Sequence, residues 1–129
     1  MTACGTFDVT LTPQPPDDGA GPLSRLVLEK QFQGDLQGAS KGQMFAAGRA
    51  GDPSGGYVAL ELVTGALHGK RGSFVLQHSG TMRDRVATLS VTVVPDSGTG
   101  ELVGLTGAMT ILVEGRRHSY ELEYRLEHK

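Results

Sequence analysis

The sequence predicts an all-β protein, a single antiparallel up-and-down barrel of about eight strands, and three observations predict it. Short stretches alternate apolar and polar residues with a period of two, most regularly from Gly55 to Leu126. Gly-containing turns such as Gly69-Lys70-Arg71-Gly72 and Pro95-Asp96-Ser97-Gly98-Thr99-Gly100 cut these stretches at regular intervals. No helical periodicity persists beyond one or two turns, and no internal repeat is present. Alternation with frequent turns marks antiparallel strands, and about eight of them joined in order close on themselves and remove exposed edges. A two-sheet sandwich is the alternative, because alternation does not separate closure from stacking. At 129 residues the chain reads as one domain, 1-129, long enough to bury about two-thirds of its unfolded surface around one core.

The first strand runs from Gly5 to Thr12, where Phe7, Val9 and Leu11 alternate with polar residues. Four of the six prolines then fall between Pro13 and Pro22, and neither a strand nor a helix continues through them. Ser24 to Gln33 resumes the alternation, with Leu26, Leu28 and Phe32 on one face; Lys30 interrupts that apolar face. A turn at Gly34-Asp35-Leu36-Gln37-Gly38 precedes a weaker strand from Lys41 to Arg49. After a loop at Gly51 to Gly56 come strands at Tyr57 to Thr64, Arg71 to Ser79 and the β-branched Val86 to Val94. Three shorter pieces close the chain: Glu101 to Leu105, Ala108 to Glu114 and His118 to Glu127.

Composition excludes several classes. Twelve Lys plus Arg against fourteen Asp plus Glu give a formal charge of −2, and both signs are scattered, whereas a nucleic-acid footprint requires a basic patch. Lys70-Arg71 and Arg116-Arg117 fall at hairpin turns and read as solubilising residues. The single Cys4 has no internal disulfide partner and no secretory signal surrounds it, so a reducing cytoplasm is expected. No apolar run approaches the roughly 18 residues of a membrane-spanning helix, so no membrane partner is expected. Nineteen glycines suit a chain of many tight turns.

Five strings stand in order along the chain: Phe32-Gln33-Gly34-Asp35-Leu36-Gln37-Gly38, Gly56-Tyr57-Val58-Ala59-Leu60-Glu61, Gly72-Ser73-Phe74-Val75-Leu76-Gln77-His78, Ser97-Gly98-Thr99-Gly100-Glu101-Leu102-Val103-Gly104-Leu105 and His118-Ser119-Tyr120. Together they resemble an uncharacterised family of small bacterial proteins of unknown function, whose calycin-type fold is similar to the allene oxide cyclase barrel. The resemblance covers nearly the whole chain. It implies an allene oxide cyclase-like barrel and a bacterial source; it supplies no activity and no catalytic residues. The cyclisation performed by the plant enzymes is not implied, because function resides in sites and not in a shared barrel.

The candidate site residues are His78, His118, Tyr120, Glu61, Gln77 and Tyr57. His78 continues the apolar face of Phe74 and Leu76, as a general base, a ligand contact or a hydrogen-bonded core residue. On the last strand His118, Tyr120, Leu122, Tyr124 and Leu126 share one face and the charged residues share the other, so His118 and both tyrosines point inward and require partners. Glu61 shares a face with Tyr57, Ala59 and Val63, whereas Val58, Leu60 and Leu62 occupy the opposite face. One register sends Glu61 inward with Gln77 and Glu29 to line a polar cavity and leaves Leu28, Leu60, Leu62, Phe74 and Leu76 outside. The other buries those five and leaves Glu61 on the surface beside Lys30 or Arg71. The second register, with an apolar interior, is the expected one.

Other patterns carry less. Gly98, Gly100, Gly104 and Gly107 lack the Gly-Lys-Ser/Thr end and the helix of a phosphate loop. His68, His78, His118 and His128 have no short ligand spacing, so no metal and no cofactor are expected. Cys4 lacks the neighbours that activate a thiolate. The expected function is therefore interior binding of a small, largely apolar molecule. An isomerase or cyclase acting inside the barrel with His78 or Glu61 as acid/base is the alternative. So is a homo-oligomeric assembly role using the two-sided apolar strand Tyr57 to Thr64.

Overall fold

The computed structural model describes residues 1–48 and 51–127; the predicted strand end at Arg49 and the predicted non-ligand His128 lie outside them. Eight strands follow one another: β1 (Thr2–Pro13), β2 (Leu23–Gly34), β3 (Leu36–Ala47), β4 (Gly55–Leu67), β5 (Lys70–Arg83), β6 (Val86–Val93), β7 (Leu105–Glu114) and β8 (Arg117–Leu126). Each pairs antiparallel with the next, and β1 pairs with β8, which closes the barrel. The all-β, up-and-down expectation holds, and closure replaces the sandwich alternative.

Most strands are longer than their alternation announces, because the turns are tighter. Asp35 alone separates β2 from β3, so Leu36 to Gly38, expected in a turn, are strand. His68 and Gly69 form the whole β4–β5 turn, with φ of 47° and 79°, and Asp84 and Arg85 form the β5–β6 turn with φ of 50° and 68°. Two successive left-handed residues give the turn whose twist matches that of its flanking strands. The expected strand at Glu101 to Leu105 is instead a 3₁₀ turn, Gly100–Leu102, followed by Val103 and Gly104. Its backbone needs are met differently: Thr99 N donates to Ser73 O at 2.8 Å, Ser73 N to Thr99 Oγ1 at 3.0 Å and Val75 N to Ser97 Oγ at 3.0 Å. The β6–β7 connection thus runs against the lower edge of β5, where β6 no longer reaches.

The barrel has two unlike ends. At the lower end lie the Asp35 and His68–Gly69 turns and the β6–β7 connection; the other four hairpin connections ring the upper end. The lower half is filled by inward side chains, among them Leu36, Val63, Leu67, Phe74, Leu76 and Leu122, each at most 1% exposed. Leu102, fully buried on the 3₁₀ turn, plugs the bottom. Burying each such side chain stabilises by about 1.5–3 kcal/mol.

The wall is uneven. β4 and β5 pair from Gly55↔Met82 to Leu67↔Lys70, but β6 and β7 meet only at Val91↔Met109 and Thr92↔Ala108. Above those pairs, Val86 to Ser90 on β6 are exposed and have no strand partner on the β7 side.

Candidate functional site

The alternation of β2, β3, β4 and β5 brings four polar side chains to one level of the interior: Lys30, Ser40, Glu61 and His78 are all at most 6% exposed. Lys30 and Ser40 stand opposite each other across β2 and β3, and His78 stands opposite Ala59, two residues before Glu61. Glu61 is the hub. Its Oε1 accepts Lys30 Nζ at 2.9 Å and His78 Nε2 at 2.6 Å, and its Oε2 accepts Ser40 Oγ at 2.5 Å. Gly42, opposite Glu61 on β3, makes room for it: a Cβ there would lie 2.8 Å from Glu61 Cβ and 2.1 Å from Leu60 O.

Burial by itself pushes the Glu61 carboxyl up, but the hydrogen bond from His78, the Lys30 charge and the Lys30 and Ser40 hydrogen bonds together bring it down to about 2. Glu61 is therefore a carboxylate at any ordinary pH. With the carboxylate ionised, the His78 Nε2 carries the proton that points at it, and in the tautomer this bond selects the ring's lone pair is on Nδ1. A carboxylate that orients an imidazole in this way leaves a base at the other ring nitrogen.

Above this cluster the barrel is hollow. A cavity of about 250 Å³ is bounded by Phe7, Lys30, Tyr57, His78, Ile111 and His118, among others. It shares Met44, Tyr57 and Leu89 with a mouth of about 580 Å³ at the upper rim, lined also by Leu26, Ala46 and Met82. The Lys30 ammonium lies 4.8 Å from the Phe7 ring centroid, within cation–π range. His118 packs against the same Phe7 ring, 5.2 Å between centroids. Tyr57 lies 6.4 Å from His78, ring to ring, and packs over Gly80, where a Cβ would come within 2.7 Å of its ring. Burial first, and the Glu61 charge second, push the Tyr57 hydroxyl up, so it stays protonated.

Of the six residues expected at the site, Tyr57, His78 and His118 line the cavity and Glu61 lies directly beneath it. The apolar-interior register fails on β4, where Glu61 points in and Leu60 and Leu62 point out, each about half exposed. It holds on β2 and β5, where Leu28, Phe74 and Leu76 are buried. The reason is Lys30: an opposite charge already inside the barrel gives the carboxylate a partner there, and Glu61 pairs with it within the core and not on the surface. Gln77 and Glu29 are exposed on the outer wall and line no interior cavity. Tyr120 is inward as expected but belongs to the lower end, where its hydroxyl accepts from Leu36 N at 2.9 Å and donates to the backbone oxygens of Gln33 and Leu36. Tyr124 is likewise tied to His68 Nδ1 at 2.5 Å.

Lys30 and Ser40 are absent from the expected set. The signal for Lys30 is the irregularity in β2, a cation on the face of Leu26, Leu28 and Phe32, matched by one carboxylate on the Tyr57, Ala59 and Val63 face of β4. Ser40 leaves no such trace. Among the described residues no group of three or more His, Cys, Asp or Glu side chains is arranged to hold a metal ion, and no helix is long and apolar enough to cross a membrane.

The class these features define is a closed up-and-down barrel with a packed lower half and a hollow upper half floored by a buried ion pair. Residues 3–124 match the family model DUF3224, described as a protein of unknown function, and the chain belongs to that family. A crystal structure of a DUF3224 protein with unknown function from Shewanella oneidensis is 45% identical, covers 100% of this chain and 98% of its own, and superposes with a TM-score of 0.92. None of the curated proteins matches the chain.

Proposed function

We propose that the barrel binds a small, largely apolar molecule in its upper half, with the polar end of the ligand against Lys30, His78, His118 and Tyr57. The observation that carries this reading is the contrast within one barrel: side chains fill the lower half, whereas the upper half leaves about 250 Å³ above a polar floor and opens to the rim. Apolar walls with a few convergent polar groups are what small-molecule sites share. Titration with the neutral fluorophore N-phenyl-1-naphthylamine tests it. Saturable binding by the native chain, weakened by Met44→Trp at the mouth, is expected; no binding by the native chain overturns the reading.

The Glu61–His78 pair favours a second reading, acid/base catalysis of an isomerisation inside the cavity. His78 Nδ1 would take a proton from the carbon beside a ligand carbonyl and return it, with Glu61 as positioning residue. Exchange of the α-protons of 2-octanone in D2O, followed by NMR, would be lost in His78→Gln while probe binding persists. Equal exchange in the two proteins would count against it.

The outer wall supports a homo-oligomer. Phe45, Val58, Leu60 and Leu62 are each about half exposed beside one surface groove of β3, β4 and β5, and a second copy would cover them. Sedimentation at micromolar concentration would reveal a monomer if it does not. The single Cys4, free and exposed, is consistent with a reducing cytoplasm.

A further inference from the structure

Resting on the binding reading above, we propose that the cavity selects uncharged ligands bearing a hydrogen-bonding group, such as a ketone, aldehyde or alcohol, and rejects both carboxylates and amines of the same chain length. The argument is the charge balance of the floor. Lys30 and Glu61 neutralise one another at 2.9 Å, and neither is more than 6% exposed. His78 donates to the same carboxylate oxygen and contributes no further charge while neutral. The Lys30–Glu61 pair therefore offers no net charge to a ligand, although the floor is rich in polar atoms.

Each remaining contact suits a neutral group. Only one of the three Lys30 N–H bonds is committed to Glu61, and the Phe7 face supports the ammonium from one side. A carbonyl oxygen can accept from Lys30, and a hydroxyl can donate to the His78 ring, without disturbing the pair. A carboxylate would have to shed its water among Phe7, Ile111 and Leu28. Its attraction to Lys30 would be opposed by Glu61, and desolvation of an ion without its own partner costs several kcal/mol. An ammonium meets the mirror-image obstacle, since Lys30 itself borders the cavity and Glu61 is already shared by three donors.

The test is competition near pH 8 between bound N-phenyl-1-naphthylamine and three competitors of equal chain length: 2-octanone, octanoate and octylamine. In the native protein 2-octanone displaces the probe at a concentration about tenfold lower than either ion does. In Glu61→Gln, which leaves Lys30 unbalanced, the preference shifts toward octanoate. Octanoate matching or outcompeting 2-octanone on the native protein overturns the inference and leaves the binding reading standing. A probe that never binds overturns both. The native-protein comparison decides the matter even where Glu61→Gln fails to fold.

Discussion

The two halves of this barrel are built from the same eight strands with the same alternation, yet one is a core and the other a container. Below Glu61 the inward positions carry Leu, Phe, Val and Tyr that meet across the axis, with Leu102 as the plug. Above it, Met44, Ala59, Leu89 and Ile111 line the walls of a cavity of about 250 Å³. The difference separates tight packing from open space along the barrel axis, and the binding reading proposed above places the ligand in the open part. The lower half can hold the fold, and the upper half is free to stay open.

The largest expected effect tests that separation directly. Phe74→Ala in the lower half costs about 3–5 kcal/mol in urea denaturation, whereas Leu89→Ala at the mouth costs less than about 1 kcal/mol. Equal losses would break the comparison. Next comes the boundary between the halves. The folded-state pKa of Glu61 lies below its ordinary 4.5, at about 2. Its stabilising contribution is therefore present in full above 4.5 and is lost as the pH falls from 4.5 through 2. The loss is on the order of 3 kcal/mol, seen as a falling urea midpoint whose slope Glu61→Gln flattens. A native midpoint with the same acid slope as Glu61→Gln would remove Glu61 from this role.

Smaller effects sharpen the division. Tyr120→Phe leaves Leu36 N–H without its acceptor and costs about 1–3 kcal/mol with unchanged affinity for the neutral fluorophore. His118→Phe is expected to reverse that pattern, with stability changed little and fluorophore affinity reduced. Gln77→Ala, on the outer wall, stays within about 0.5 kcal/mol and leaves fluorophore binding as it is.

The barrel was legible because period-two alternation and left-handed turn residues are local signals. The inward face of β8 reads directly from the charged residues opposite it, so His118 and Tyr120 were placed on the correct side. What local signals do not carry is which inward position lies in which half. Tyr120 and His118 are two residues apart, and one seals the bottom while the other borders the cavity. The face of β4 was illegible for a different reason. Both of its faces are apolar, and the choice depends on Lys30, two strands away, whose value emerges only when register brings it within 2.9 Å of Glu61. The 3₁₀ turn was missed because its hydrogen bonds go to β5 side by side with it, a partnership no sequence window contains.

The meagre pairing of β6 with β7 gives the wall a place to part. The cavity-lining Leu89 and Ile111 stand on the two sides of that seam, just beyond its pairs at Val91↔Met109 and Thr92↔Ala108. Parting the upper seam costs few ladder bonds, while the β2–β3 hairpin opposite, paired from Leu23↔Ala47 to Phe32↔Gly38, stays shut. On the binding reading proposed above, a guest would have two routes inside, down through the rim or sideways through the slit, and the amides of Val86 to Ser90 that face β7 are where rapid hydrogen exchange would reveal the door.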